Sequence, residues 1–218
     1  MRWLGLALVA EGPTDYRFLP PLLYRLAEDL CLNHGLGAVE VDSVRPLELD
    51  RRIRDRTDQI VAAARRAEGS YQVLFLHTDG AGDPEAAIRE RFMRWNRGLA
   101  ALGRVDDRAI AVVPVREMEA WALSDGEALR GAFGTILSDG QLGLPRRAQD
   151  VENVHEPKRM LEAAYERAFR PRTPRRPVVA ALEAIAERVD LARLRMLPAF
   201  QRLERDLRDA LRELRYLN

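Results

Sequence analysis

The fold is decided first by residues 2–15, which read RWLGLALVAEGPTD. Residues 2–10 form an apolar run that Gly12-Pro13 stops. Such a run is typical of a strand buried on both faces of a sheet. Thr14 is placed to cap a helix, because apolar residues recur at helical spacing over residues 15–30. The stretch therefore predicts a buried strand, a tight turn and a helix, with Pro20-Pro21 predicting a kink or a late helix start.

Three more strand patterns alternate with helical patterns along the next part of the chain. The strands are predicted at residues 38–44, 71–78 and 109–115. The helices are predicted at residues 49–67, 84–102, 117–123 and 125–132. This alternation predicts an α/β fold in which a mainly parallel sheet has helices on both faces. The first, third and fourth strand patterns are the most apolar, so we expect those three strands at the centre of the sheet.

The last third of the chain predicts helices without strands. Residues 134–154 are glycine-rich and irregular, and helices are predicted at residues 157–169, 178–188 and 191–216, with a Pro/Arg segment at 170–177. We therefore predict an α/β core over residues 1–133. Residues 134–218 are predicted to form an irregular loop and a C-terminal helical region that packs on that core.

Composition excludes several protein classes. Of the 218 residues 47% are apolar and 32% are charged, which is typical of a globular chain. No apolar run approaches the roughly 18 residues that span a membrane, and the N-terminal run lacks the features of a signal peptide. The single cysteine, Cys31, excludes a disulfide framework and a zinc cluster. These features predict a cytoplasmic protein without a membrane partner.

The net charge of +1 hides two asymmetries. Residues 1–145 hold 18 basic and 22 acidic residues, whereas residues 146–218 hold 17 and 12. Of the 35 basic residues 34 are arginine, and the one lysine is Lys158. An acidic half followed by a basic half fits a metal site beside an anion-binding surface. For the arginine-rich stretch 167–182, a solvated loop between helices is an equal alternative.

Carboxylates follow three of the four predicted strands. They are Glu11 and Asp15 after the first strand, Asp79 and Asp83 after the third, and Glu117 and Glu119 after the fourth. Ligands of open α/β sheets bind outside the carboxyl ends of the strands, so these side chains are expected at one edge. Clustered carboxylates need a counter-charge, and their hard oxygen atoms suit one or two Mg²⁺ or Mn²⁺ ions. Such ions support phosphodiester cleavage.

Structural roles compete with metal binding at several of these positions. Asp15 lies where it would complement a helix dipole, and Asp83 precedes a proline as a helix N-cap does. Asp125 is predicted to cap the next helix. His77 is predicted to be a buried histidine with satisfied hydrogen bonds.

Four segments together resemble the Toprim domain, the metal-binding fold shared by topoisomerases, bacterial primases and the overcoming-lysogenisation-defect (OLD) nucleases. They are VAEGPTDYRFLPPLL (9–23), LFLHTDGAGD (74–83), VVPVREMEAWALSD (112–125) and EPKRML (156–161). The chain most resembles a small Toprim-like bacterial family of unknown function, some members of which are partners of an ATPase in phage defence. The resemblance extends over roughly residues 3–165.

The resemblance implies a role for individual residues. The first-strand glutamate of Toprim domains falls on Glu11, and the acid that follows it in the nuclease branch falls on Asp15. The Asp-x-Asp motif falls on Asp79 and Ala81, and this is a departure, because alanine cannot bind a metal. Either Asp83 replaces the missing ligand or a second metal binds weakly.

The later motifs complete the implied site. The second acidic pair falls on Glu117 and Glu119, and the lysine that OLD-like nucleases place near the scissile phosphate falls on Lys158. The implied activity is a metal-dependent nuclease with Glu11, Asp79 and Lys158 as catalytic residues. Its nucleic-acid-binding residues would be arginines of the Pro/Arg segment: Arg170, Arg172, Arg175 and Arg176.

Other functions stay open at this point. One alternative is a binding or regulatory module that lost a metal ligand at Ala81. Another is a subunit that is silent alone and acts with an ATPase partner. The sequence leaves open whether the substrate is DNA or RNA and whether the chain forms a homodimer.

Overall fold

A computed structural model of the chain describes residues 2–105, 107–169 and 178–218. In those residues the strands β1 to β4 span Arg2–Val9, Val39–Pro46, Val73–His77 and Arg108–Val112. The helices α1 to α11 span Asp15–His34, Arg56–Arg66, Pro84–Ala87, Met93–Ala100, Glu119–Ala122, Gly126–Phe133, Asp139–Leu142, Pro157–Ala168, Leu182–Ala186, Leu191–Leu194 and Pro198–Glu213. A π-helical turn lies at Ile88–Phe92, and 3₁₀ turns lie at Ala148–Asn153 and Val178–Ala181.

The four strands form one sheet in the order β2-β1-β3-β4, and every neighbouring pair is parallel. The predicted α/β class with a parallel sheet is therefore confirmed. The prediction that the fourth strand is central is wrong, because β4 lies at an edge. It is apolar nonetheless, since α11 packs against it and Ile110 and Val112 join the main hydrophobic core.

Side-chain alternation along β1 separates two cores. Leu4, Leu6 and Leu8 point to the larger core, which α1 and most later helices cover. Ala7 and Val9 point to the smaller core, which α2 and α4 cover. Successive residues of a strand face opposite sides of the sheet, so this division confirms helices on both faces.

Helices from the C-terminal part of the chain belong to the same main core as the sheet. Leu161 of α8 and Phe200 of α11 are buried there with Leu6 of β1. The Phe200 ring meets the Trp121 ring of α5 edge to face, with centroids 5.4 Å apart. Core side chains therefore link both parts of the chain across residues 133 and 134, and the predicted boundary at that point stays a prediction.

Several predicted helix boundaries are wrong. Helix α1 begins at Asp15 and continues past both prolines, so the late start is wrong. Helix α2 begins at Arg56 and not near residue 49, because Asp55 accepts hydrogen bonds from two backbone N–H groups of its first turn.

The final predicted helix is divided into α10 and α11. Leu197 is extended, with φ −97° and ψ 122°, directly before Pro198. Proline disfavours the helical conformation in the residue before it, which explains the break. The irregular stretch 134–154 also contains α7 and a 3₁₀ turn. Across the described ranges, no helix combines the length and the apolar character that crossing a membrane requires.

We expect Phe200→Ala to lower the free energy of unfolding by about 3–5 kcal/mol, because it removes a buried ring from the joint core. Urea denaturation measured by circular dichroism and by tryptophan fluorescence should show one coincident transition. Arg205→Ala on the exposed side of the same helix is the control and should cost less than about 0.5 kcal/mol. Two separate transitions would show instead that the C-terminal helices unfold independently.

Candidate metal centre

The carboxyl ends of β1, β3 and β4 deliver acidic residues to one edge of the sheet. Glu11 follows β1, Asp79 follows β3, and Glu117 and Glu119 follow β4. Asp15, the first residue of α1, joins them and is only 7% exposed. The structure thus brings together five of the six predicted metal ligands.

Mutual repulsion is visible in the acidity of Asp79. Its pKa is raised to about 7, first by burial and then by the negative charges of its neighbours, which are, in decreasing order of effect, Asp15, Glu11, Glu119 and Glu117. The effect requires all four neighbours to lie within electrostatic range of one side chain. These five carboxylates are called the acid cluster below.

Glu119 is the second carboxylate of the acid cluster whose pKa is raised. Its pKa is raised to about 7, mainly by burial and further by the negative charges of Glu117 and Asp15. Its own backbone N–H and the positive charge of Lys158 act in the opposite direction. Asp79 and Glu119 therefore have too little positive charge around them to be fully ionised at neutral pH.

His77 is buried completely and points into the acid cluster. Its Nδ1 lies 2.9 Å from the carbonyl oxygen of Val112, the geometry of an N–H that donates to that oxygen. Its Nε2 lies 3.6 Å from carboxylate oxygens of both Asp15 and Asp79 and has no hydrogen-bond partner among the described residues. The prediction of a satisfied buried histidine is therefore wrong for Nε2. The sequence contained a weak indication of this position, because His77 and Asp79 are two residues apart at the end of a strand, and such residues point to the same side.

Arg91 and Thr78 hold Glu11 in place, and sequence reasoning missed both. The Thr78 hydroxyl donates to Glu11 Oε1 at 2.5 Å and accepts a hydrogen bond from Arg91 Nη1 at 2.6 Å. Arg91 Nη2 also donates to the carbonyl oxygen of Asp79 at 2.9 Å. Arg91 comes from the π-helical turn, a type of irregularity that often lies at functional sites. Nothing in the sequence distinguishes it from the other arginines of that helix.

Tight backbone contacts fix the loop that carries Asp79. A Cβ at Gly80 would collide with the carbonyl oxygens of Pro114 and Val115, so only glycine fits there. Ala81, with φ 51°, adopts a left-handed conformation that costs an alanine roughly 1–2 kcal/mol. The loop is thereby held against the segment that leads to Glu117. The side chain of Ala81 itself offers no ligand atom at this position of the loop.

Asp83 and Asp125 both act as helix caps. Asp83 Oδ1 accepts the backbone N–H of Ala86 at the start of α3. Asp125 accepts N–H groups of Glu127 and Ala128 at the start of α6, which confirms its predicted structural role.

Lys158 lies beside the acid cluster, in the first turn of α8. Its backbone N–H donates to Glu117 Oε2 at 3.2 Å, and its charge acts on Glu119. The structure therefore places the predicted catalytic lysine next to the predicted metal ligands. The predicted nucleic-acid-binding residues Arg170, Arg172, Arg175 and Arg176 lie outside the described residues.

The negative charge of the acid cluster fits a divalent cation, but its side chains are not arranged as a set of metal ligands. In residues 2–105, 107–169 and 178–218, no three His, Cys, Asp or Glu side chains are close enough to hold an ion as they stand. The fit rests on the raised pKa values and on the lone Nε2 of His77. A cation would offset both, because it stabilises ionised carboxylates and gives an imidazole nitrogen a partner.

A comparison with protein-family models matches residues 10–208 to the family described as a domain of unknown function (DUF4276). The chain belongs to this family. The DUF4276 match includes the whole acid cluster, His77, Arg91 and Lys158. No curated protein and no solved structure matches the chain.

Without metal, the protein should become less stable as the pH rises from about 4 to about 7, which is the interval between the ordinary and the folded-state pKa values of two carboxyl groups. Asp79 and Glu119 have folded-state pKa values near 7, above their ordinary values of 3.8 and 4.5. A raised carboxyl pKa favours folding while the group is protonated, and that stabilisation is lost as the pH rises through the folded-state value. Urea unfolding in EDTA between about pH 4 and pH 8 would measure the change, which should level off above about pH 7.

The double variant Asp79→Asn and Glu119→Gln should flatten this dependence, because neither amide titrates. Glu40→Gln on exposed β2 is the matched control and should keep the wild-type slope. A double variant that retains the full slope would assign the pH dependence to other groups.

Proposed function

We propose that this DUF4276 chain is a Mg²⁺- or Mn²⁺-dependent nuclease of the Toprim, OLD-like type. The observation that carries the proposal is the acid cluster, which lies next to the only lysine of the chain. Two of its carboxylates lie 3.6 Å from a buried histidine nitrogen that has no hydrogen-bond partner in the described part of the chain. The parallel sheet is compatible with a Toprim-like fold. The resemblance of the four sequence segments, which carry these same residues, implies the same function.

In this proposal Glu11, Asp15, Asp79, Glu117 and Glu119 hold one or two ions, with His77 as a further ligand. Bound there, the metal would supply an activated water and neutralise charge on the phosphate oxygens. Arg91 and Thr78 keep Glu11 oriented through the hydrogen bonds described above. The N–H of Gly12 does the same for Asp15, at 2.7 Å from its Oδ2.

Lys158 would stabilise the negative charge that develops on the phosphate. Its ammonium group is a compact donor, whereas an arginine at the same place would present a broad planar fork. Because Lys158 stands in the first turn of α8, the positive end of the helix dipole adds to its effect. The Pro/Arg segment would contribute affinity for backbone phosphates without reading the base sequence.

One observation favours a second function, a non-cleaving binding or regulatory subunit that acts with an ATPase partner. The second Asp-x-Asp position is Ala81, and the cap on α3 engages the nearby Asp83. A chain of this kind would bind metal weakly. Isothermal titration with Mn²⁺ separates the two functions, since the nuclease requires binding that Glu11→Ala and Asp79→Ala abolish.

We expect purified protein to cleave DNA or RNA in Mg²⁺ or Mn²⁺ and to lose the activity in EDTA. Glu11→Ala and Asp79→Ala should each lower the rate at least about a hundredfold, because each removes several kcal/mol of metal-dependent stabilisation. Glu40→Ala is the control for a lost surface carboxylate. Absence of cleavage by wild type, or undiminished cleavage by both variants, would refute the proposed function.

Lys158→Arg should lower the cleavage rate by about a hundredfold while the thermal unfolding temperature stays unchanged. The control is the reciprocal change at the next residue, Arg159→Lys, which alters an exposed side chain paired with Glu156. Full activity of Lys158→Arg would remove Lys158 from the catalytic group and leave the metal proposal intact.

A further inference from the structure

A cavity of about 540 Å³ opens beside the acid cluster. Glu119 and Lys158 line one part of it, so the cavity shares one carboxylate with the acid cluster and includes the lysine next to the cluster. Its apolar wall is completed by Leu161 and Tyr165 of α8 and by Val179 and Leu182. We call this cavity the side pocket. Its volume falls in the range that accommodates a small organic ligand.

Helix periodicity explains how one helix serves both places. Residues three or four apart lie on one face of a helix, so Lys158, Leu161 and Tyr165 follow one another along α8. The rise of about 1.5 Å per residue places Tyr165 roughly 10 Å along the axis from Lys158. A ligand that contacts Lys158 with one end can therefore reach Tyr165 with the other.

The lining of the side pocket selects against a second phosphate group. Besides Glu119, the carboxylate of Glu162 on α8 lines it, and Lys158 is the one cation among the described lining residues. An anion that entered beyond Lys158 would meet like charges. An uncharged, largely apolar group with hydrogen-bond donors at its edge suits the wall and the carboxylates better.

The rigid wall favours a flat ring. Tyr165 is 8% exposed, and its ring packs against the rings of Phe133 and Phe169 at centroid distances of 5.1 and 4.6 Å. An aromatic group held in this way offers a fixed apolar surface at little entropic cost. A nucleobase attached to a phosphate that contacts Lys158 has the required shape, polarity and reach.

We propose that the side pocket binds the unpaired base of the nucleotide next to the phosphate at the acid cluster. The inference rests on the proposed function and narrows its substrate class to single-stranded nucleic acid or unpaired ends. A base in a duplex would first have to leave its stack and its partner before it could enter. Stacking and burial of a base are sequence-tolerant, so no base sequence is implied.

Ligand binding tests the side pocket without requiring cleavage. Isothermal titration in Mn²⁺ would compare nucleoside 5′-monophosphates with ribose 5-phosphate, which carries the same phosphate and no base. Wild type should bind the monophosphates about tenfold more tightly or better, in line with the usual contribution of base stacking. Equal affinities would overturn the inference.

Variants that fill the side pocket test whether the preference for nucleoside monophosphates arises there. Val178→Trp and Val179→Trp each place a ring at a half-buried position in the wall, and either should remove the preference for monophosphates while ribose 5-phosphate still binds. Ile136→Trp makes a comparable change at a residue that is 98% exposed and should keep the preference. A preference that survives both pocket variants would place the base elsewhere and refute the side pocket.

Cleavage assays separate this inference from the proposed function. Single-stranded oligonucleotides should be cut at least about tenfold faster than the same sequence in a duplex, and the pocket variants should reduce this ratio. Cleavage of both forms at equal rates would refute the side pocket and support the nuclease. Preferential binding of monophosphates without any cleavage would support the side pocket and refute the nuclease.

Discussion

Parallel strands that end at one edge of a sheet bring together the carboxylates that follow them, and repulsion among those charges constrains the rest of the structure. Glu11, Asp79 and the pair after β4 reach that edge from three strands, two of which are the central ones. The loop that carries Asp79 is fixed by close backbone contacts, so its carboxylate cannot move far from the others. The chain must therefore supply positive partial charges from elements outside the sheet, or leave the site dependent on a cation.

Local donors satisfy only part of this requirement. Thr78 donates to Glu11, the Gly12 N–H donates to Asp15, and the first turn of α8 donates to Glu117. These hydrogen bonds hold three carboxylates in fixed directions. Asp79 and Glu119 are compensated less and keep a pKa near 7. The acid cluster thus combines carboxylates held by hydrogen bonds with two whose pKa values are raised, and a divalent ion would stabilise those two most.

Sequence patterns predicted the α/β class, the approximate strand positions and the edge at which the carboxylates collect, because those features depend on local periodicity and on the direction of parallel strands. Strand order was less accessible, since the apolar run of β4 reflects the cover that α11 gives to an edge strand. Arg91 was not accessible at all. Its contacts depend on a π-helical turn, whose single extra residue changes the direction of the side chain without a mark in the sequence. His77 carried a weak signal, which became clear only when its two ring nitrogens were placed in different surroundings.

The role of α8 connects the electrostatics of the acid cluster to the shape of the side pocket. The N-terminal turn of α8 donates to Glu117 and brings Lys158 next to Glu119, so the helix is held at the acid cluster by hydrogen bonding and charge. Its opposite end is held by ring contacts of Tyr165 with Phe133 and Phe169. A helix fixed at both ends keeps Lys158 and the apolar wall at a constant separation. In a nucleotide bound as proposed, the distance between the phosphate at the acid cluster and the base in the side pocket would be set by the helix, so the covalent geometry of one nucleotide would be a criterion for binding.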